Sequence, residues 1–193
     1  MAASTLTLRD AFVGRASSTR TLAVIIGGAG LIAACAQISI PLGFTPVPVT
    51  GQTFAVLLVG AGLGSVAGTA STLLYVALGA IGLPIYAHHA HGWSVVTSSS
   101  GGYLVGFIAA AAVTGSLAER RWDRRFSSSL GALLTGNVVI YLFGVVWLAH
   151  DLHLSVATAL QDGLYPFVPG DVLKMYLAAA ALPAAWKLAG RRH

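Results

Sequence analysis

Thr21-Leu22-Ala23-Val24-Ile25-Ile26-Gly27-Gly28-Ala29-Gly30-Leu31-Ile32-Ala33-Ala34-Cys35-Ala36-Gln37-Ile38-Ser39-Ile40 opens a run without Asp, Glu, Lys or Arg that lasts to Ala118. A soluble fold needs a solvated face along each element, and charged residues supply most of it. Of the 193 residues, 56% are hydrophobic and only 9% charged, against about 25% charged in ordinary soluble domains. The chain is therefore an integral membrane protein of one domain.

The basic residues agree. Arg9, Arg15 and Arg20 precede the first apolar run; Arg120, Arg121, Arg124 and Arg125 share one mid-chain loop; Lys187, Arg191 and Arg192 close the chain. The net charge of +5 is thus gathered in short segments between spans, as in cytoplasmic loops, and makes no reading face for nucleic acid. Lys174 is the basic residue left over. Cys35 stands alone, which excludes an intrachain disulfide and a cysteine metal site.

Six spans are expected: 21–40, 52–64, 66–85, 102–118, 130–148 and 172–186. The fold class is all-α and polytopic, with a six-helix domain over 21–188. Residues 1–20 read as a cytoplasmic tail, although a transit peptide has a similar composition, and 189–193 as a second cytoplasmic tail. With six spans both termini and the Arg-rich loop share one side, which the charge bias makes the inside. Residues 151–163 are expected as a short surface helix.

Two segments break the helical pattern. Leu42-Gly43-Phe44-Thr45-Pro46-Val47-Pro48-Val49 is apolar yet non-helical, because Pro46 and Pro48 force extended geometry on their predecessors. Such backbone survives at membrane depth only when buried in protein or lining a cavity, so the segment reads as a lid. Leu164-Tyr165-Pro166-Phe167-Val168-Pro169 reads as a second Pro-broken loop. It leads into Gly170-Asp171-Val172-Leu173-Lys174, where an acid and a base three apart share one helix face. Each charge costs roughly 2.5–3.5 kcal/mol near the bilayer centre, so a ligand, an ion path or a buried pair has to compensate.

Gln52, Thr53, the Ser100-Gly101 turn, Asp171 and Lys174 all fall at the outer ends of the spans, interleaved with Phe44, Tyr86, Trp93, Tyr103, Tyr165 and Phe167. Apolar walls with a few convergent polar groups make a small-molecule pocket. Asp171 accepts from N–H donors and Lys174 donates to a carbonyl or carboxylate; a purely structural ion pair is the other reading. Asn137, four before Tyr141, serves either as an interhelical hydrogen bond or as a substrate contact. His88, His89 and His91 offer a metal-binding composition or a plain outer loop. No nucleophile–base pair, Walker motif or metal cluster is evident in the spans, so no enzyme and no cofactor is expected. Ala29 and Ala33, four apart, make a small-residue face for close helix packing, within the chain or against a partner.

Five motifs carry a resemblance. Ala36-Gln37-Ile38-Ser39-Ile40-Pro41-Leu42, Pro46-Val47-Pro48-Val49-Thr50-Gly51-Gln52-Thr53, Leu78-Gly79-Ala80-Ile81-Gly82-Leu83-Pro84, Gly101-Gly102-Tyr103-Leu104-Val105-Gly106-Phe107 and Pro166-Phe167-Val168-Pro169-Gly170-Asp171-Val172-Leu173-Lys174 stand in register with the BioY family, which the chain resembles from about Leu22 to Leu182. These are the biotin-binding S components of energy-coupling-factor (ECF) transporters. The resemblance implies biotin capture from outside by a six-helix subunit in the cytoplasmic membrane of a prokaryote. It implies a transmembrane T component and ATP-binding subunits as partners, with Ala29 and Ala33 docking on the T component. It also implies that Asp171 and Lys174 contact biotin, with Gln52, Thr53 and the Ser100-Gly101 turn nearby. An S component for another vitamin, or a solo biotin transporter, is the alternative. The chain departs from the family at Ser98-Ser99-Ser100, where a Gly-x-Thr pattern is usual, and at Gly64-Ser65-Val66-Ala67-Gly68, which lacks the usual basic residue.

Overall fold

The computed structural model describes residues 7–13 and 17–190. Arg15, Arg191 and Arg192, which the charge reading used, lie outside them.

The described residues are mostly helical. Four helices are long and apolar enough to cross a membrane: α2 (Ser18–Ala36), α6 (Gly101–Glu119), α7 (Phe126–Asp151) and α9 (Val168–Gly190). Between the first two lie α3 (Gln52–Leu63) and α4 (Ser65–Ala80), apolar but shorter. At 1.5 Å per residue neither reaches the ~30 Å of a hydrocarbon core. Each of the six expected segments contains a helix, two of them short of span length, and the first stops at Ala36, with Ser39 and Ile40 in a strand rather than in the expected span. Gly64, at φ +84°, joins α3 to α4, and Glu119 caps the start of α4 by accepting from Ser65 N (2.7 Å) and Oγ (2.8 Å).

The remaining elements are small. A strand pair, β1 (Ser39–Ile40) with β2 (Val49–Thr50), is antiparallel and brackets the Pro-rich segment. Short helices α5 (Trp93–Val96) and α8 (Val156–Gly163) precede α6 and α9, and α1 (Leu8–Val13) precedes α2.

Which way each helix faces follows its periodicity. On α9 the inward residues are Asp171, Lys174, Met175, Ala178, Ala179 and Leu182, spaced by three and four, whereas Leu173, Tyr176 and Leu177 are exposed. On α7, Leu133, Asn137, Ile140 and Leu148 are buried while Leu134, Val138, Leu142 and Val146 are exposed. Outer faces built of large apolar side chains suit lipid and not water.

Small residues set the helix spacing. A Cβ on Gly60 of α3 would lie 2.8 Å from Ala111 O of α6, and one on Gly68 of α4 would lie 2.8 Å from Gly60 Cα. At these crossings backbone meets backbone.

Four expectations need correction. Residues 7–13 are not plain tail: Thr7 and Asp10 exchange capping hydrogen bonds, and α1 packs on α3 and α9 with Leu8 buried. Ala189 and Gly190, expected in the C-terminal tail, finish α9. Val168 and Pro169 are not loop but the first turn of α9, where a missing N–H costs nothing because the first N–H groups have no helical partner. The third apolar segment stops being helical at Ala80 rather than Ile85, turned by Gly82 at φ +115°.

The Arg-rich loop also holds a surprise. Asp123 is buried at 1% exposure and accepts from Trp186 Nε1, tying the α6–α7 turn to the end of α9. Burial pushes its pKa up, against the opposing pull of that hydrogen bond and of Arg124.

The crossings predict an asymmetry among glycines. Gly60→Val should lower stability by about 1–3 kcal/mol, read as a depressed midpoint of thermal unfolding in detergent. Gly27→Ala, whose Cβ meets nothing within 4 Å, should leave the midpoint almost unchanged.

Candidate ligand-binding site

The first two turns of α9 present Asp171 and Lys174 to the end of β2 and the start of α3. Asp171 is 2% exposed. The Lys174 ammonium donates to Asp171 Oδ1 (2.9 Å), Thr53 Oγ1 (3.2 Å) and the Thr50 carbonyl (2.7 Å). These three acceptors match its three N–H donors. Asp171 Oδ1 also accepts from Thr53 Oγ1 (3.1 Å), and Oδ2 accepts from Tyr141 Oη. The pair is neutral and its ammonium is fully engaged. Asp171 Oδ2 keeps a lone pair.

Gln52 lies beside them, 6% exposed. Its Nε2 donates to Tyr75 Oη and its Oε1 accepts from Thr50 Oγ1, which leaves one N–H and one lone pair. The spare polar capacity of Asp171 and Gln52 is therefore two acceptors and one donor.

These groups line a cavity of about 160 Å³ whose wall also includes Tyr141, Ser100 and His88. Its apolar walls are Val47, Tyr86, Tyr103, Phe107, Ile140 and Phe167. Two of the tyrosines rest on glycines. A Cβ on Gly79 would fall 2.3 Å from the Tyr86 ring, and one on Gly144 the same distance from the Tyr103 ring. Their hydroxyls are anchored outside the cavity, Tyr86 to Val76 O (2.6 Å) and Tyr103 to Gly163 O (2.7 Å). Both rings thus present faces and edges rather than free hydroxyl donors.

The rim is sewn together. Gln37 Nε2 bonds to Tyr86 O (3.1 Å), and its Oε1 accepts from His89 N (3.3 Å). His88 Nε2 meets Ser39 Oγ at 2.9 Å. Thr45 Oγ1 donates to Asp162 O (2.7 Å), which fastens the Pro-rich segment over the cavity, with Val47 and Pro48 in its wall. His88 (φ 56°) and His89 (φ 58°) are consecutive left-handed residues. That conformation costs an L-residue about 1–2 kcal/mol, so the surrounding contacts hold the rim under strain.

The comparisons decide the family. The model of the BioY family matches residues 6–191. The chain belongs to the BioY family. It is 38% identical over 170 residues to the biotin transporter BioY of Rhizobium etli, covering 84% of this chain and 90% of that one. It is 42% identical over 149 residues to the biotin transporter BioY of Thermotoga maritima, covering 77% and 85%. Among solved structures it is similar to the S-component for biotin from an ECF-type ABC transporter, with TM-score 0.79, 26% identity, and 88% and 92% coverage. BioY proteins are transporters and not enzymes, and this member is a multi-pass membrane protein.

Of the residues singled out from sequence, Asp171, Lys174, Gln52, Thr53, Ser100 and Tyr86 line the one cavity. Asn137 does not. It lies below, 6% exposed, against a void of about 10 Å³ that also touches Thr53, Asp171 and Lys174. Gly101 is not a wall residue either: a Cβ there would strike Val96 O at 1.9 Å, so its place is dictated by packing on α5. Ala29 is 4% exposed and packs inside the chain, which takes it off the outer face of α2; of the glycines on α2, Gly27 and Gly30 have open space where a Cβ would stand. Ala33 is half-buried. Among the aromatics, Phe44, Trp93 and Tyr165 are exposed and away from the cavity. His91 Nδ1 turns to its neighbour's backbone, His89 O, and among the described residues no three metal-ligating side chains converge.

Tyr141 has a role that its four-residue spacing from Asn137 does not reveal: its hydroxyl donates to Asp171 Oδ2. Four-residue spacing places two side chains on one side of a helix, but not at the same depth.

The pairing predicts a sign reversal. Asp171→Leu strands a half-buried ammonium and should destabilise the ligand-free protein by about 3 kcal/mol, the low end for a broken buried pair. Adding Lys174→Met should recover most of the loss in thermal unfolding.

Proposed function

We propose that this protein captures biotin in the cavity at the head of α9 and carries it across the cytoplasmic membrane of a prokaryote. The carrying observation is the inner site: spare acceptors at Asp171 Oδ2 and Gln52 Oε1 beside one spare Gln52 N–H. A ureido group has two N–H donors and one carbonyl acceptor, which is the complement. Tyr86, Tyr103, Phe107 and Phe167 give the fused rings and the aliphatic chain an apolar enclosure. The biotin-transporter relatives support the same ligand.

In this reading residues 21–188 form a six-helix membrane domain in which α3 and α4 are short, buried members. The cavity is at the starts of α3, α6 and α9, whereas Arg120, Arg121 and Arg125 follow the end of α6 and Lys187 stands near the end of α9. The excess of basic residues inside then puts both termini in the cytoplasm and opens the cavity outward. A T component and ATP-binding subunits supply the energy, by analogy with the ECF-type structure it resembles. Asp171, Lys174, Gln52, Thr53, Tyr86 and Ser100 are the binding residues. Asn137 faces the small void that Thr53, Asp171 and Lys174 also line, with its buried Oδ1 unpartnered among the described residues.

Purified protein in detergent should bind biotin saturably in titration calorimetry, and excess thiamine or riboflavin should not compete. Asp171→Asn should weaken binding roughly ten- to a hundredfold, the worth of a hydrogen bond to a charged acceptor. Lys174→Met should also weaken it. Wild-type affinity in both variants would sink the site assignment.

A further inference from the structure

The loop between α6 and α7 carries Arg120, Arg121, Arg124 and Arg125 with a single acid among them, and the fold withdraws that acid. Asp123 is 1% exposed; its Oδ2 accepts from Trp186 Nε1, and its Oδ1 faces Arg124 Nε at 3.6 Å. Arg124 in turn lies over the Trp186 ring, 3.3 Å from its centroid. Glu119, the acid just before the loop, is engaged with Ser65 at the start of α4. Arg120, Arg121 and Arg125 stay exposed. The Trp186 contacts also bring the end of α9 to this loop, and with it Lys187, which is exposed as well. Among the described residues none of these four cations has an ion-pair partner.

So placed, the cations disfavour one another. Arg121 is close enough to Arg124 to repel it, and its backbone is left-handed at φ 68°, a conformation unfavourable for an L-residue. A loose loop would relax by spreading its charges or by pairing them with its own acid. Here the acid is buried and the loop is fastened to α9, so an anion from outside the chain is what relieves the repulsion.

The adjoining surface is apolar. Trp122 is 41% exposed, Phe126 43% and Leu188 58%. The Phe126 ring lies against Tyr176 of α9, with 5.7 Å between centroids, on the outer face of large apolar side chains. Cations beside exposed rings at the ends of apolar helices fit a molecule with an anionic head and hydrocarbon tails. A soluble anion would use the cations alone.

We propose that Arg120, Arg121, Arg125 and Lys187 form the headgroup site of an anionic glycerophospholipid whose acyl chains run along Phe126 and Tyr176. The inference goes beyond biotin capture and does not depend on it. The two share only the orientation of the chain, which makes the lipid one of the cytoplasmic leaflet.

The test is native mass spectrometry of the full chain in detergent, offered equal amounts of phosphatidylglycerol and phosphatidylcholine with matched acyl chains. Wild-type protein should retain phosphatidylglycerol in preference, and the preference should shrink as ammonium acetate is raised. Arg125→Gln should lower the preference roughly fivefold, and the triple variant Arg121→Gln, Arg125→Gln, Lys187→Gln about a hundredfold. Trp186→Phe, which keeps a ring but removes the N–H that holds Asp123, should lower it by less than the triple variant. An unchanged midpoint of thermal unfolding shows that a variant is folded, and the single variant decides the matter if the triple one is not. Equal retention of the two lipids by wild-type protein, or wild-type preference in Arg125→Gln and the triple variant, would overturn the site. Displacement of the lipid by equimolar glycerol 3-phosphate would make this a soluble-anion site and overturn the lipid assignment. Biotin titrated into the same samples keeps the readings apart: a preference for phosphatidylglycerol without biotin binding removes only the biotin reading.

Discussion

The structure depends on one half-buried ammonium group held at the edge of an apolar interior. Lys174 cannot be left without partners there, because an isolated buried charge costs far more than a span gains from its apolar residues. One carboxylate is not enough either, since an ammonium has three donors. The third acceptor is the Thr50 carbonyl, and it is free only because the chain before α3 is not helical. An apolar non-helical segment and a lysine at membrane depth each look unfavourable alone. Together they satisfy each other: the broken backbone supplies a carbonyl, and the lysine supplies the donor that the carbonyl would otherwise lack.

That arrangement explains why the cavity is where it is. The lysine draws β2 and the start of α3 against the first two turns of α9, and Asp171 draws Tyr141 of α7 to the same point. Three segments distant in sequence are thereby fixed around one pair of charges. The walls are then completed by rings seated on glycines: Tyr86 on Gly79 and Tyr103 on Gly144. Neither glycine is needed for backbone freedom. Each is needed because a single methyl group would occupy the space of the ring, and a displaced ring would fill the cavity.

The legible part of this was what periodicity and charge count could carry. The uncharged run announced a membrane protein, the two prolines announced a non-helical lid, and the Asp171–Lys174 spacing announced a shared face. Depth was not legible. Asn137 and Tyr141 occupy the same face of α7, yet one faces a void beneath the pair and the other holds Asp171. Ala29 and Gly30 are adjacent members of one small-residue stretch, yet one is buried in the chain and the other is open. Residue size says that a close approach is permitted, and only the tertiary arrangement says against what. Asp123 was hidden for a related reason: within a run of arginines it read as part of a solvated loop, and nothing local reveals that Trp186 lies above it.

A neutral, internally satisfied charge pair also changes what the site can discriminate. Were Lys174 free, the inner site would attract any small anion, and selection by shape would have to undo selection by charge. With the ammonium committed, what the inner end offers is a set of unfilled hydrogen-bonding positions in a buried, apolar setting. A ligand that fills them loses little on leaving water. One that lacks the N–H groups leaves acceptors unpaired, which is the more selective kind of mismatch, because the cost falls on the protein as well as the ligand. The buried pair thus converts two expensive charges into a rigid template of acceptors, and the discrimination rests on the template rather than on the charges.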